Sequence, residues 1–281
     1  MTGESTFLDQ IRADGFAIIR AVLGLAQVEQ LANSLQSLEG SESIRRRGGM
    51  FAVRNLLDVS KPVRELAESA ALRELVVPVL GHSAIAVRGI LFDKTPGANW
   101  KVPWHQDVTI AVAERADVEG FGPWSTKAGI LHVQPPARVL ENMLSVRIHL
   151  DPCGEENGAL KVVAGTHRNG RLPETETARL GEESPMTICA VDAGDALLMR
   201  PLLLHASSAS LAPLHRRVVH IEFAAYKLPG GLRWASNEAE HPVKGPELKL
   251  PLPLSAPEVT SIEPAFPADP NIAAAFQCSP D

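Results

Sequence analysis

Three places in the chain carry a histidine followed two residues later by an acid: His105-Gln106-Asp107, His149-Leu150-Asp151 and His220-Ile221-Glu222. On a β-strand, residues i and i+2 point to the same face, so each pair could offer an imidazole and a carboxylate to one ion. Two histidines and one carboxylate make the facial triad of non-haem Fe(II). That triad leaves coordination positions open for a bidentate co-substrate and O2. With nine histidines in the chain, one such match is expected by chance, so the third ligand must separate the candidates.

His205 follows the strand-like run Ala196–Met199 and the turn at Gly194-Asp195. It is far enough beyond Asp107 for the two to sit on opposite sides of one barrel. Arg216 opens the next strand-like run, where a guanidinium can pair bidentately with the far carboxylate of a dicarboxylic co-substrate. The rivals lack such company. Pro152 places Asp151 at a strand end or turn. His220 and Glu222 have only His241 downstream. The favoured ligands are therefore His105, Asp107 and His205; a strand histidine taken alone is an ordinary hydrogen-bonded residue.

The elements that must position these residues fall into two textures. Up to about residue 80 the chain reads as helical cover with one strand. Helices are expected over Thr6–Arg12, Leu25–Leu38, Lys61–Glu68 and Leu72–Leu80, a strand over 15–20, and a solvated loop over 40–50 that includes Arg45-Arg46-Arg47. From Ala84, short β-branched runs alternate with Pro/Gly turns. The expected strands are Ala84–Phe92, Trp104–Val112, Ile130–Gln134, Leu144–Leu150, Leu160–Val163, Met186–Val191, Ala196–Met199 and Arg216–Tyr226. The class is mainly β with flanking helices, a sandwich or jelly roll. Residues 1–240 read as one domain and 241–281 as a Pro-rich C-terminal tail.

Composition narrows the function classes. The hydrophobic fraction is 45% and the charged fraction 21%, which excludes wholesale disorder. A net charge of −6 argues against broad nucleic-acid binding. The three cysteines, Cys153, Cys189 and Cys278, are an odd count without tight spacing, so a reducing cytoplasm fits and a disulfide framework does not. The N-terminus shows no secretory signal and no apolar run is long enough for a membrane helix.

The segment Phe92-Asp93-Lys94-Thr95-Pro96 with Trp104-His105-Gln106-Asp107 resembles the metal-binding region of the phytanoyl-CoA dioxygenase-like enzymes. Leu150-Asp151, Glu156-Asn157-Gly158-Ala159-Leu160 and Ala164-Gly165-Thr166-His167 are similar to that family's Asn-Gly-x-Leu and Pro-Gly-Ser/Thr-His signature. His205-Ala206-Ser207 with Arg216 matches its distal His-x-Ser and arginine. The likeness runs from about Asp14 to Tyr226. Two positions depart from the pattern: Ala164 replaces the usual proline, and Ser210 stands where many relatives carry asparagine.

The resemblance implies a cupin-like double-stranded β-helix, or jelly roll, that holds Fe(II) and uses 2-oxoglutarate and O2. His105, Asp107 and His205 would be the ligands. Arg216 would clamp the far carboxylate of 2-oxoglutarate, with Arg217 as the alternative because adjacent strand residues face opposite ways. Lys94 and Ser207 would contact the co-substrate. Asp107 argues for hydroxylation over halogenation, since related halogenases carry a small residue there. The reaction implied is hydroxylation of a small molecule with release of succinate and CO2. The competing classes are a non-redox cupin-like metal isomerase and a non-catalytic ligand-binding member of the fold.

The substrate residues are less marked. Arg147 and His149 share a face and line the pocket if that face is inward. Arg54 could reach an anionic substrate. His167, Glu156, Asn157 and Gly158 read as turn chemistry. Residues 113–128 are expected to form a long loop, with Phe121 and Trp124 as the apolar part of a lid over the metal. Glu114, Asp117 and Glu119 against Arg115 and Lys127 make that segment a poor surface for a phosphate-rich CoA handle, which points to a smaller, CoA-free substrate.

Overall fold

The computed structural model describes residues 6–36, 38, 44–46, 50–95, 99–127, 129–211, 215–236 and 245–249. The N-terminal part contains α1 (Phe7–Ala13), β1 (Phe16–Ile19), α2 (Leu25–Gln36), β2 (Ile44–Arg46), β3 (Met50–Val53), α3 (Leu56–Val59), α4 (Lys61–Glu68) and α5 (Ala70–Leu80). Then follow β4 (Ile85–Lys94), β5 (Val102–His105), β6 (Ile110–Val112), β7 (Trp124–Lys127), β8 (Ile130–Val133), α6 (Ala137–Glu141), β9 (Met143–His149) and β10 (Leu160–Val163). The chain continues through α7 (Glu174–Glu183), β11 (Thr187–Cys189), β12 (Ala196–Met199), β13 (Leu204–Ser207) and β14 (Arg216–Ala224).

Local sequence sets the helix ends. Thr6 and Asp9 form a reciprocal capping box at the start of α1. Ser69 caps α5, which stops at Gly81 with φ 87°.

Among the described residues the strands form three sheets, in the orders β1-β12-β9-β14-β4-β3-β2, β11-β10-β13-β5 and β6-β8-β7. The two larger sheets form the jelly roll. Alternation sorts the central strands. Val219, Ile221 and Phe223 of β14 with Val146 and Ile148 of β9 face outward, where Leu31, Leu35, Val63, Leu72 and Val76 of the helices cover them. The opposite parity faces the space between the sheets. Part of that space is apolar, closed by Leu160, Val162, Leu197, Met199 and Leu203. The rest is polar and holds the site.

A second core lies under the small sheet, where Ile110, Val112, Val133, Val139, Leu228 and Trp234 pack together. Leu248 joins it, so residues 245–249 of the expected tail are packed against the domain, and Lys227 pairs with Glu247 in a parallel bridge. Residues 250–281 lie outside the described residues. No helix among the described residues is long and apolar enough to cross a membrane.

Several expectations are revised. The expected strand Trp104–Val112 is two strands in two different sheets, β5 and β6. The expected loop 40–50 contains β2, including Arg45 and Arg46; Arg47 lies outside the described residues. The expected loop 113–128 ends in β7, which pairs with β8 from Trp124↔Val133 to Lys127↔Ile130.

Candidate metal centre

β5 and β13 are antiparallel neighbours, and their register sets His105 opposite His205. Both rings are held the same way. His105 Nδ1 lies 2.9 Å from the Pro103 carbonyl oxygen, and His205 Nδ1 lies 2.8 Å from that of Leu203. Each Nδ1–H donates to a carbonyl two residues back in the chain, which makes Nε2 the metal-binding nitrogen of each ring. The ring centroids are 4.1 Å apart.

Asp107 follows the end of β5, where its backbone N–H is tied to the Pro201 carbonyl at 2.9 Å. Gln106 turns the other way and is buried. Its amide donates to the carbonyls of Leu202 and Gly170 and accepts from the Leu172 N–H, so it locks the segment that presents its two neighbours. Asp107 Oδ1 is then 3.9 Å from His105 Nε2, and Oδ2 is 3.8 Å from His205 Nε2. One ligand atom from each of the three residues falls within 4.8 Å of the others, a span that one ion can fill. Burial alone would raise the Asp107 pKa, but His205 and His105 beside it pull it well below the usual carboxylate range. Burial, then His105, pushes His205 down to about 3. Near neutral pH, Asp107 is therefore ionised and His205 neutral, the states a metal requires.

The rival His-x-acid pairs have other partners. Asp151 takes Arg217 in a bidentate ion pair, with Nη2–Oδ1 at 2.7 Å and Nε–Oδ2 at 2.9 Å. Glu222 pairs with Arg88 at 3.1 Å. His220 Nδ1 lies 3.1 Å from Arg147 Nη1.

A cationic pocket adjoins the triad. Arg216 lies opposite Lys94 in the β14–β4 register, and both side chains are buried. Lys94 Nζ donates to the Ser208 carbonyl at 2.6 Å and to Ser207 Oγ at 3.3 Å. Arg216 Nη1 donates to the Gly158 carbonyl. Gly158 sits at φ 67°, and a Cβ there would overlap the Ser208 carbonyl oxygen, so the Asn157-Gly158 turn needs its glycine. Arg147 and His149 point to the same interior face, as the register Val218↔His149 and His220↔Arg147 requires. Burial first, then Arg216, lowers the Lys94 pKa to about 7 and the Arg147 pKa to about 10. Burial, then Arg147 and Arg216, holds His149 at about 3.

None of Lys94, Arg147 and Arg216 forms an ion pair with a carboxylate among the described residues, and the Nε of each arginine has no partner. Buried cations without counter-charge are costly, so this pocket fits a bound anion, as a dicarboxylate beside the metal would supply.

Arg217 points the other way, to Asp151 on the outer side, so Arg216 is the interior arginine of the two. Ser210 exchanges hydrogen bonds with Asn99, N–H to Oδ1 at 2.7 Å and carbonyl to Nδ2 at 2.8 Å, and so ties the approach to β5 to the segment after β13. Gly15, with φ 85°, leaves room for the His167 ring, which fills a packing position as its turn context suggests.

The lid expectation is corrected. Phe121 is 8% exposed and belongs to the second core, with Trp124 packed against it under Arg115 at 5.5 Å. Both rings anchor the segment to the small sheet.

Sequence reasoning did not single out Arg88 or His132. The signal for Arg88 was available, since counting back by twos from Lys94 along β4 reaches it on the interior face. His220 and Glu222 follow in the same way from Arg216 along β14.

The sequence pattern described as "Phytanoyl-CoA dioxygenase (PhyH)" matches residues 11–218. No curated protein sequence matches the chain. Among solved structures, HygX from Streptomyces hygroscopicus, with nickel and 2-oxoglutarate bound, is 18% identical; the alignment covers 88% of this chain and 95% of that one, with a TM-score of 0.56. EctD from S. alaskensis, with 2-oxoglutarate and 5-hydroxyectoine, is 17% identical over 77% of this chain and 74% of that one, with a TM-score of 0.61. The epimerase SnoN, in complex with Fe3+, alpha ketoglutarate and nogalamycin RO, is 20% identical over 78% and 82%, with a TM-score of 0.58. At these identities the likeness to the solved structures is one of fold. The family pattern, which spans most of the chain, goes further: the chain belongs to the phytanoyl-CoA dioxygenase family.

Proposed function

We infer that the chain is an Fe(II)- and 2-oxoglutarate-dependent oxygenase that hydroxylates a small molecule. The observation that carries this reading is the pairing of His105 with His205, with Asp107 beside both and a buried cationic pocket adjoining them. His105 and His205 would hold the metal through Nε2 and Asp107 through a carboxylate oxygen. When bound, iron with 2-oxoglutarate and O2 supplies the oxidising power, with release of succinate and CO2.

The chain's own residues bind, orient and neutralise. Arg216, held by the Gly158 carbonyl, would receive the far carboxylate of the co-substrate. Lys94, held by Ser207 and Ser208, would offset its remaining charge. The helices behind the large sheet and the apolar packing between the sheets keep Lys94, Arg147 and Arg216 buried, which strengthens these contacts.

Relatives solved with iron or nickel and 2-oxoglutarate support the choice of cofactors. A carboxylate at position 107 supports hydroxylation over halogenation. A non-redox isomerase would leave the Lys94–Arg216 pocket without a use, and a plain ligand binder would have no need of the His105, Asp107 and His205 triad beside it. The test is succinate formation from 2-oxoglutarate by the purified protein, with and without Fe(II), over a metabolite panel, with product masses recorded. A gain of one oxygen atom supports hydroxylation; an isomeric product would replace it with epimerisation, as in the named activity of SnoN.

A further inference from the structure

Beyond the co-substrate pocket, the polar interior continues along the same sheet. Glu222 lies opposite Arg88 on one side and Ser145 on the other, one step past the His220–Arg147 pair. Arg88 and Glu222 pair at 3.1 Å, His220 Nε2 is 3.4 Å from Glu222, and Arg147 completes the chain at 3.1 Å from His220. The small sheet adds a second wall. The registers Ser125↔His132 and Lys127↔Ile130 put Lys127 and His132 on the face opposite its apolar core. His132 is completely buried; its Nδ1 lies 2.9 Å from the Ile130 carbonyl, and its Nε2 has no partner. Lys127 is half-buried and forms no hydrogen bond or ion pair among the described residues. Arg54, which follows β3 just after Val53 pairs with Leu91 of β4, is buried.

These groups feel one another's charge. Burial, then Arg88 and Arg54, lowers the Lys127 pKa to about 8, while Asp107 and Glu222 act in the other direction. Burial and the same arginines, with Lys127, hold His132 at about 3. Among the described residues, Lys127, Arg88 and Arg147 thus face Glu222 and Asp107, and Asp107 is a candidate metal ligand. Lys127 and Arg88 are separate from Lys94 and Arg216, which the co-substrate would occupy, and Arg147 lies between the two groups.

We propose that the substrate of this site is a small anion whose carboxylate, phosphate or sulfate oxygens are received by Lys127, Arg54, Arg88 and Arg147 beside the metal triad. The assignment rests on the oxygenase reading above. Arg147 lies opposite His220 on the strand face that also carries Arg216, so an anionic group held there sits beside the co-substrate pocket and close to the reacting carbon. The phosphates of a CoA thioester are much farther from the acyl carbon, and the thioester itself is uncharged. A free acid or a small phosphate ester therefore suits the pocket.

The test is calorimetric titration of the oxygen-free Fe(II)–2-oxoglutarate complex with inorganic sulfate and, separately, with acetate. Binding of either ion is expected, weakened about tenfold (about 1.4 kcal/mol) in Lys127→Met and further in Lys127→Glu, through loss of a charge-assisted hydrogen bond. Tighter sulfate binding indicates a phosphate- or sulfate-bearing substrate; tighter acetate binding indicates a carboxylate. Retained 2-oxoglutarate affinity shows that both variants fold and load. Binding of neither ion, or equal binding by wild type and Lys127→Glu, would overturn the anion site while leaving the oxygenase reading standing. Failure of 2-oxoglutarate to bind the wild type would instead remove that reading.

Discussion

Arg216 and Arg217 are adjacent in sequence and serve opposite sides of one strand. Arg216 points between the sheets to the Gly158 carbonyl, and Arg217 points outward to a bidentate pair with Asp151. The period of two along β14 makes the distinction that no count of residues from His205 could make.

The two arginines should therefore respond differently to truncation. Arg216→Ala removes a contact to a carboxylate in a desolvated pocket, worth about 2–5 kcal/mol, so 2-oxoglutarate affinity should fall about thirtyfold or more. Arg217→Ala should leave that affinity unchanged and lower stability by about 1 kcal/mol, as its pair with Asp151 is partly exposed. Anaerobic titration and thermal melting of both variants check this.

Lys94 gives a pH dependence. Its pKa is lowered to about 7, chiefly by burial and then by Arg216, so in the protein without co-substrate it is charged below pH 7 and neutral above it. A dianion binds better to the charged form. Affinity for 2-oxoglutarate should be highest below pH 7 and decline as pH rises through it. Lys94→Met should flatten that decline between pH 6 and about 8.5, a range set by the usual spread of a single titration around its pKa. A wild-type profile that rises with pH would contradict the role.

Phe121 tests the corrected reading of residues 113–128. As a buried member of the second core, Phe121→Ala should cost about 3–5 kcal/mol of stability, by lost burial and a cavity. The folded fraction should keep wild-type 2-oxoglutarate affinity. Denaturant unfolding measures the first effect; a loss within 0.5 kcal/mol, roughly the range of a surface change, would return the ring to a mobile role.

Much of this organisation was legible in the sequence, for identifiable reasons. Leu160–Val163 and Ala196–Met199 are short apolar runs bounded by turn residues, and both strands have those limits. Lys61–Glu68 has Pro62 in its first turn and helical spacing, and it is a helix over the same span. The His-x-Asp pair was readable because a strand puts i and i+2 on one face. What was not legible depended on tertiary pairing. Leu204–Ser207, the strand that carries His205, is too short to show a period, and its identity comes from pairing with β10 and β5. Trp124–Lys127 reads as loop because Gly120, Gly122 and Pro123 precede it, yet β8 supplies its ladder. The Arg88–Glu222–His220–Arg147 chain joins three strands that only the sheet order makes neighbours.

The most direct test of the central claim is an oxygen-free titration with Fe(II), followed by 2-oxoglutarate, of the wild type and of His105→Ala and His205→Ala. The account predicts one Fe(II) per wild-type chain, with 2-oxoglutarate bound tightly only once the metal is present. Each variant should keep its fold, judged by thermal melting, and lose both stoichiometric Fe(II) and metal-dependent 2-oxoglutarate binding. Wild-type Fe(II) binding in either variant, or equal 2-oxoglutarate affinity with and without metal, would contradict it.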